Sequence, residues 1–392
     1  MVFAQPIARC DGRGDDEVRT HVERVMYRCT KLAVFLTLCA VTSVVVLSWS
    51  FLNDNGHDPY LSVLDVDTLP PTHRHHGEAK LFDLDFEYVE NCAPCRADVS
   101  YLAVIVVTSH FGNVEARSAM RRSFSNDELE RMRIRRIFLL GTSPGDGEFT
   151  TRDALRDESS RFGDILQGNF REDYRNLTYK HVMGLRWAGK HCSGAKLVVK
   201  MDDDIVVDVR RTIDLLKSFK FPSPNYIAGY ILKGMEPKRD PANKWYTTLK
   251  EYGHYKYPTF VSGWFYVTTP KLAAKLADVS FKVPYFWIDD VYVTGMLAQK
   301  LKVRFLNINR YFAVHAELMQ CCLRDLPVVQ CDYLVGPNGG DTGMFHNFNV
   351  LAEKCYGKPC GIRERPLNYT CVVEKKPTLG PGRAIVEPFN LS

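Results

Sequence analysis

The chain has 392 residues, of which 45% are hydrophobic, 12% aromatic and 25% charged. This length and composition suit one large packed domain with appendages, and they exclude a disordered or fibrous chain. The 51 Lys and Arg residues exceed the 46 Asp and Glu residues by a net charge of only +5, which does not indicate a nucleic-acid-binding surface.

An uncharged apolar segment near the N-terminus predicts a membrane anchor. As a helix, residues 32–52 would span about 31 Å, which matches the hydrocarbon core of a bilayer. Basic residues precede this segment, and after it no Lys or Arg occurs until Arg74, so we expect a cytoplasmic N-terminus. A buried soluble helix and a cleaved signal peptide are the alternatives. The prediction is a type II single-pass protein with a cytoplasmic tail over residues 1–31.

Features beyond the anchor agree with a luminal or extracellular location. Glycosylation triplets begin at Asn176, Asn368 and Asn390. Nine of the 12 cysteines follow residue 90, which is typical of an oxidising compartment. Because nine is odd, one of them should stay free or link two chains into a homodimer. The spacing of Cys92 and Cys95 resembles a redox or zinc half-site, but we interpret it as one end of a structural disulfide.

Three apolar, β-branched runs predict buried strands of an α/β domain. They cover residues 101–107, 134–141 and 195–200. An amphipathic helix capped by Asp173 is expected between the second and third runs. This alternation indicates a mostly parallel sheet, whose ligands bind beyond the carboxyl ends of the strands. We expect a luminal stem over residues 53–96, the folded domain over 97–372 and a C-terminal tail over 373–392.

The third run ends in three consecutive carboxylates, Asp202, Asp203 and Asp204. Like charges at one place repel each other unless a cation neutralises them, so the triplet predicts a divalent metal. Mg²⁺ and Mn²⁺ bind one or two protein carboxylates together with phosphate oxygens, which is the chemistry of a nucleotide-diphosphate site. An acidic turn that caps the following segment is the alternative. Lys200, just before the triplet, either balances this charge or extends to solvent.

A second acidic pair, Asp289 and Asp290, precedes a helical pattern. The pair either caps that helix or supplies a general base, because an ionised Asp can remove a proton from a hydroxyl group. Trp264 and Trp287 belong to the same part of the sequence and could stack on the apolar face of a sugar.

Three arginines occur at helical spacing after the first strand: Arg117, Arg121 and Arg122. Two of them can share one helix face and bind a phosphate group. An exposed basic helix face is the alternative interpretation.

Seven sequence blocks in order resemble the β-1,3-galactosyltransferase family. The blocks are Arg117-x-x-x-Arg121-x-Ser-Phe, Phe138-Leu-Leu-Gly141, Glu158-Ser-x-x-Phe-x-Asp164-Ile, Asp173-x-Tyr-x-Asn-Leu-Thr-x-Lys180, Lys200-x-Asp-Asp-Asp204, Phe260-x-Ser-Gly263 and Asp289-Asp-Val-Tyr292. The resemblance covers residues 100–300 well and the chain to about residue 360 weakly. It departs from the family pattern at Ser123-Phe124, where Thr-Trp is usual, at Trp264, and at Asp289, where Glu is usual.

The resemblance implies a Golgi membrane enzyme of the GT-A fold, an α/β nucleotide-sugar-binding domain with a mostly parallel sheet flanked by helices and one preceding transmembrane helix. It also implies a Mn²⁺ site formed by Asp204 and Asp202. A histidine near the C-terminus completes the metal site in similar enzymes, and we favour His346 over His315 for this role.

The resemblance also concerns the base and the donor. Asp290 matches the catalytic base of the family, and the aspartate triplet matches its nucleotide-sugar motif, with Asp202 and Asp203 toward the UDP-sugar donor. The expectations that Arg117 and Arg121 bind this donor and that Trp264 and Trp287 stack on a sugar rest on the residues themselves.

The sequence therefore predicts an inverting transferase that moves galactose from UDP-galactose to the 3-hydroxyl of a glycan acceptor on lipid or protein. One alternative is a β-1,3-N-acetylglucosaminyl- or N-acetylgalactosaminyltransferase that works by the same mechanism. A more remote alternative is a non-catalytic Golgi chaperone or lectin.

Overall fold

The structure is a computed structural model, and it describes residues 87–92, 95–96, 98–142, 152–219 and 224–371. The predicted transmembrane segment over residues 32–52, the cytoplasmic tail, most of the stem and the C-terminal tail lie outside the described residues. Within the described ranges, no helix combines the length and the apolar character that a membrane crossing needs.

An eight-stranded mixed sheet forms the centre of the fold. Its strands lie in the order β1-β4-β3-β2-β5-β8-β7-β9, and a separate two-stranded sheet pairs β6 with β10. The strands are β1 Tyr88–Asn91, β2 Ala103–Thr108, β3 Ile134–Thr142, β4 Ile165–Arg171, β5 Leu197–Asp202, β6 Ile205–Val207, β7 Tyr226–Leu232, β8 Phe260–Thr268, β9 Arg304–Asn307 and β10 Val335–Pro337. Antiparallel pairing involves only β1 and β8 within this eight-stranded sheet, so its other strands share one direction. The prediction of a mainly parallel sheet built on β2, β3 and β5 is confirmed.

Helices cover both faces of the sheet. The α-helices are α1 Val114–Ser123, α2 Asn126–Arg131, α3 Arg152–Phe162, α4 Leu177–His191, α5 Val209–Ser218, α6 Pro270–Val279, α7 Ala316–Asp325, α8 Gly343–Gly357 and α9 Leu367–Thr370. A 3₁₀ turn, Tyr174–Asn176, precedes α4, and a π-helix, Val291–Leu297, continues into the short α-helical turn Ala298–Lys300. The predicted helix is confirmed as α4, but Asp173 caps the 3₁₀ turn before it, where its carboxylate accepts a hydrogen bond from the Arg175 N–H at 2.8 Å.

Alternate residues of β2 point into two separate cores. Val104 and Val106 pack in one core with α4 and α6, whereas Ala103 and Val107 pack in the other core with α1, α5 and α8. A strand that is apolar on both faces can therefore lie between two helical layers, which explains the unbroken apolar run in the sequence.

The parallel register of β2 and β5 positions the acidic triplet. Thr108, the last residue of β2, lies opposite Asp202, the last residue of β5. Beyond these ends, the N–H of Asp203 donates to the carbonyl of Thr108 at 3.1 Å. The triplet thus lies at the carboxyl edge of the sheet, where ligands bind in folds of this kind.

The C-terminal part of the domain supports the triplet from the other side. β10 pairs antiparallel with β6, the strand that follows the triplet, and the N–H of Asn338 donates to the carbonyl of Asp204 at 2.8 Å. Disulfides join Cys95 to Cys192, Cys321 to Cys371, Cys322 to Cys331 and Cys355 to Cys360.

Cys92 is the unpaired cysteine of the described residues. The interpretation of Cys95 as a disulfide end is confirmed, and so is the expectation of one odd thiol. The homodimer through that thiol is not supported, because Cys92 is buried in the core beside β4 and burial raises its pKa to about 12. A buried, protonated thiol is poorly placed to form a bond to a second chain.

Candidate active site

Both acidic clusters predicted from the sequence line one cavity of about 650 Å³. The triplet comes from the end of β5, and Asp289 and Asp290 come from the start of the π-helix. The tertiary structure brings the two clusters together, because β8 lies beside β5 and places Gly263 next to the second cluster. A cavity of this size with convergent polar groups is typical of a site for a small organic ligand.

Lys200 links the two clusters. Its ammonium group is buried and lies 2.6 Å from Asp202 Oδ1, 2.5 Å from the carbonyl of Gly263 and 3.9 Å from Asp289 Oδ2. Burial acts to lower the pKa of Lys200, but the two carboxylates outweigh it and raise the pKa. Of the two sequence interpretations of Lys200, charge balance is therefore confirmed.

The three residues of the triplet have different surroundings. Asp203 is buried and accepts hydrogen bonds from Ser109 Oγ at 2.7 Å and Asn113 Nδ2 at 3.0 Å, so it fixes the loop after β2. Asp202 is half-buried, and burial raises its pKa to about 7 against the opposing effect of Lys200. Asp204 is exposed and lines the cavity, which makes it the most accessible carboxylate of the three.

The environments of Asp289 and Asp290 separate their proton affinities. His181 and Lys200 overcome the effect of burial and lower the pKa of Asp289 to about 2. Burial and the adjacent Asp289 carboxylate raise the pKa of Asp290 to about 7. Two carboxyl groups whose pKa values differ in this way supply one fixed anion and one group that exchanges protons near neutral pH.

A hydrogen bond from the π-helix to β8 holds Asp290 close to that strand. The Oδ1 of Asp290 accepts from the N–H of Val291 at 2.8 Å, so the capping role considered from the sequence is present. Thr294 Oγ1 in the π-helix donates to the carbonyl of Val261 in β8. A Cβ added at Gly263 would lie 3.0 Å from Asp290 Cβ and 3.5 Å from Lys200 Nζ, which explains why the position carries glycine.

His181 is a site residue that sequence reasoning missed. It lies on α4, and its side chain is only 1% exposed. Its Nδ1 is 2.8 Å from Asp289 Oδ2, and its Nε2 is 2.7 Å from the hydroxyl of Tyr266 on β8. Asp289 and Tyr266 are distant in the sequence, so no local pattern could have revealed this contact.

The aromatic side chains of the cavity differ from the prediction in part. Trp264 and Trp287 both line the cavity. However, Trp287 is only 5% exposed and the Arg175 guanidinium lies 4.5 Å from its ring centre, so its role in sugar stacking is not supported. Tyr174 and Trp245, which the sequence analysis did not select, present 42% and 48% of their surfaces and also line the cavity.

The structure does not support the prediction that Arg117 and Arg121 bind the donor phosphates. Both guanidinium groups are buried, and neither residue lines the cavity. Arg117 forms a bidentate ion pair with Glu158 at 2.7 and 2.8 Å, and Arg121 forms one with Asp164 at 2.7 and 3.0 Å. Arg117 also donates to the carbonyl of His110 at 2.6 Å, which braces the loop that carries Ser109. The arginines therefore lie outside the cavity, and Arg117 stabilises a loop that lines it.

Comparison with known proteins agrees with this geometry. The galactosyltransferase family model matches residues 115–309. Human beta-1,3-galactosyltransferase 5 is 31% identical over 244 residues, which cover 61% of this chain and 76% of that protein. The chain belongs to the galactosyltransferase family. Human beta-1,3-galactosyltransferase 2 is 34% identical over 220 residues, which cover 56% of this chain. The same residues cover 52% of that relative, so this chain spans about half of its length.

The solved structures that match this galactosyltransferase have low sequence identities and low TM-scores. A WbbM bifunctional glycosyltransferase has a TM-score of 0.36 at 12% identity and covers 67% of this chain and 52% of that chain. An active-site mutant of LgtC has a TM-score of 0.32 at 12% identity and covers 60% and 86% of the two chains. These values are too low to support an inference about the fold.

The histidine predicted to complete a metal site is not brought to the cavity of this galactosyltransferase-family chain. His346 on α8 and His315 before α7 are both exposed, and neither lines the cavity. In the described residues, no three His, Cys, Asp or Glu side chains are arranged to hold a metal. Asp202 and Asp204 still offer carboxylate oxygens at the cavity, and this donor set fits Mn²⁺ that takes its other ligands from phosphate and water.

The predicted glycosylation sites have different accessibilities. Asn176 is buried, and its Nδ2 donates to the carbonyl of Arg171 at 3.0 Å, so the folded domain does not present it for glycosylation. Asn368 is exposed on α9. Asn390 lies outside the described residues.

Proposed function

We propose that this protein is an inverting glycosyltransferase with a GT-A type domain that transfers galactose from UDP-galactose to the 3-hydroxyl of a sugar acceptor. The observation that carries the proposal is the convergence of the Asp202–Asp204 triplet and the Asp289–Asp290 pair on one cavity at the carboxyl edge of the sheet. Membership of the galactosyltransferase family and the names of the relatives support galactose as the donor sugar and a β-1,3 linkage.

In the proposed reaction, Asp290 acts as the general base. Its carboxylate takes the proton of the acceptor 3-hydroxyl while the hydroxyl oxygen forms a bond to the anomeric carbon of galactose. The bond between that carbon and the diphosphate oxygen breaks, and UDP departs with the bonding electrons. Attack from the opposite face inverts the α-linkage of the donor to a β-linkage. A base with a pKa of about 7 suits this step, because it is partly ionised near neutral pH and still holds a proton well.

The other residues of the cavity divide the remaining tasks. Asp204 and Asp202 would hold Mn²⁺, which supplies stabilisation of the negative charge on the departing diphosphate when it is bound. Asp203 fixes the loop of Ser109 and Asn113 at the donor side. Tyr174, Trp245 and Trp264 offer aromatic surfaces for the sugar rings.

A donor panel with the purified luminal domain tests the proposal. UDP release and product linkage should show transfer from UDP-galactose and a β-1,3 bond to a glycan from a lipid or protein. Faster transfer from UDP-N-acetylglucosamine or UDP-N-acetylgalactosamine would favour the second candidate. Glycan binding without turnover of any donor would contradict an enzyme and favour a chaperone or lectin.

We further propose a Golgi location with a single membrane crossing and a luminal domain. The support is the apolar segment over residues 32–52 with its basic flank, together with the four disulfides of the domain. Protease treatment of intact microsomes should remove only an N-terminal tag, and a glycosidase should change the mobility of the protected remainder if Asn368 or Asn390 is modified. A protected N-terminal tag would contradict this topology.

A further inference from the structure

His181 occupies a buried position between the second acidic cluster and the sheet. Both of its ring nitrogens have partners, Asp289 Oδ2 at 2.8 Å and the Tyr266 hydroxyl at 2.7 Å. His181 and Tyr266 are almost fully buried, whereas Asp289 reaches the cavity. The imidazole therefore connects the interior of the domain to the floor of the proposed active site.

The surroundings define the direction of this hydrogen-bond chain. Burial and the Asp289 charge raise the pKa of Tyr266 well above its ordinary value, so its hydroxyl keeps its proton and can donate. Burial lowers the pKa of His181, which favours the neutral ring. With Tyr266 donating to Nε2, the single ring proton lies on Nδ1 and points to the Asp289 carboxylate.

The His181 hydrogen bond affects Asp289 directly and Asp290 through the charge of Asp289. The His181 donor and the Lys200 ammonium both lie near Oδ2 of Asp289, at 2.8 Å and 3.9 Å, and favour its ionised form. A carboxylate that is held as an anion raises the proton affinity of the adjacent carboxyl group. Loss of the His181 donor would let Asp289 turn away or share the proton that Asp290 must receive.

We propose that His181 is a positioning residue for glycosyl transfer, which holds Asp289 as an oriented anion beside Asp290 and so sustains the base. This inference rests on the proposed function of Asp290. His181 does not line the cavity, so it acts through Asp289 rather than on the substrate.

Two conservative substitutions separate this role from simple packing. In His181→Asn the amide nitrogen lies near the original Nδ1 and can still donate to Asp289. In His181→Gln the amide nitrogen lies near the original Nε2, so the Asp289 donor is lost although more of the side-chain volume is retained. If His181 only fills space, the larger Gln should be the better replacement.

The experiment measures kcat, the KM values for donor and acceptor, and UDP affinity for both variants and for His181→Ala. We expect His181→Asn to keep kcat within about threefold, and His181→Gln and His181→Ala to lose about 10-fold or more, which is part of the 10²–10⁴ that a positioned base contributes. KM values and UDP affinity should change little. Equal losses in the Asn and Gln variants, or an unchanged kcat in His181→Gln, would overturn the proposal.

Two further variants keep the outcome interpretable. If the His181 variants fail to fold, Tyr266→Phe removes the donor to Nε2 and should lower kcat about threefold with unchanged UDP affinity, whereas an unchanged kcat would overturn the proposal. Asp290→Asn is measured in the same assay. A normal Asp290→Asn enzyme contradicts the proposed function and the His181 role together, while an impaired Asp290→Asn enzyme with a fully active His181→Gln enzyme contradicts the His181 role alone.

Discussion

The Lys200 ammonium lies 2.6 Å from Asp202 Oδ1, at the point where β5 enters the cavity. This contact neutralises one carboxylate of the triplet, and the same ammonium stands 3.9 Å from Asp289 in the second cluster. Asp204 lies beyond the reach of these contacts and is exposed to the cavity. The negative charge of Asp204 is therefore not neutralised by Lys200, and it lies where a divalent cation could bind a diphosphate.

The first prediction concerns the metal. Chelation should abolish transfer and Mn²⁺ should restore it, because the exposed Asp204 carboxylate would repel a diphosphate unless a cation lies between them. Asp204→Asn should lose most activity without a change in Tm. Asp214→Asn on α5, an exposed residue with a weak ion pair at 3.6 Å, is the matched control and should behave as wild type. Full activity in the presence of chelator would refute the metal role.

The second prediction assigns the base. Asp290→Asn keeps the side-chain shape and the cap on Val291 but cannot accept a proton, so turnover should fall by a factor of about 100 or more with little change in UDP-sugar affinity. Asp289→Asn should be milder, because Asp289 acts through its charge. Turnover and affinity are measured separately for both variants. A larger loss at Asp289 would reverse the assignment.

The third prediction is a pH dependence. Burial and Asp289 raise the pKa of Asp290 to about 7, and the base works only when it is ionised. The value of kcat/KM should therefore decline as the pH falls through about 7. In Asp289→Asn the like charge is removed, so this decline should move to lower pH. An unchanged midpoint in the Asp289→Asn profile would argue against the coupling of the two carboxyl groups.

The raised pKa also predicts an effect of pH on stability. The folded protein binds the Asp290 proton more tightly than the unfolded chain does, so the stabilisation from this proton is lost as the pH rises through about 7. Asp290→Asn should raise Tm relative to wild type at pH 8 and have little effect at pH 4. A lower Tm at pH 8 would show that the carboxylate is well stabilised in the fold.

The fifth prediction tests the structural role of the buried arginines. Arg121→Met leaves Asp164 without its buried ion-pair partner and removes one of the two arginines bound to Glu158. It should reduce the free energy of unfolding by about 3–5 kcal/mol, with normal UDP affinity in the folded fraction. The neighbouring Arg122→Met breaks exposed contacts with Glu115 and Ser118 and should cost less than about 1 kcal/mol. Denaturant titration and UDP binding distinguish the outcomes. Normal stability with weakened UDP binding in Arg121→Met would restore the donor-binding interpretation.

The sequence was informative where function depends on local order along the chain. The apolar run before Asp202 was sufficient to predict a buried strand whose carboxyl end lies at the ligand-binding edge of the sheet, because parallel strands share that edge. The two acidic clusters were predicted to have complementary tasks, and the structure brings them to one cavity.

The predictions of site residues differ from the structure where a side chain binds a partner that is distant in the sequence. Arg117 and Arg121 have the spacing of a phosphate-binding face, but they form ion pairs with Glu158 and Asp164. Those two acids belong to one of the recognised sequence blocks, so a search for complementary charges between blocks could have found the pairing. The contact between His181 and Asp289 had no such signal, because it depends on how α4 and the π-helix pack against β8.

The disulfides of the C-terminal region give the site a dependence on its surroundings. The bridges Cys321–Cys371 and Cys322–Cys331 hold α7 and the segment that leads into β10, whose neighbour Asn338 anchors the backbone of Asp204. A polypeptide made in a reducing cytosol would leave this scaffold unlinked beside the residue most exposed to a cation. On the proposed function, catalytic competence would follow oxidative maturation, and protein recovered with these bridges reduced should show weaker Mn²⁺ binding even when its sheet is formed.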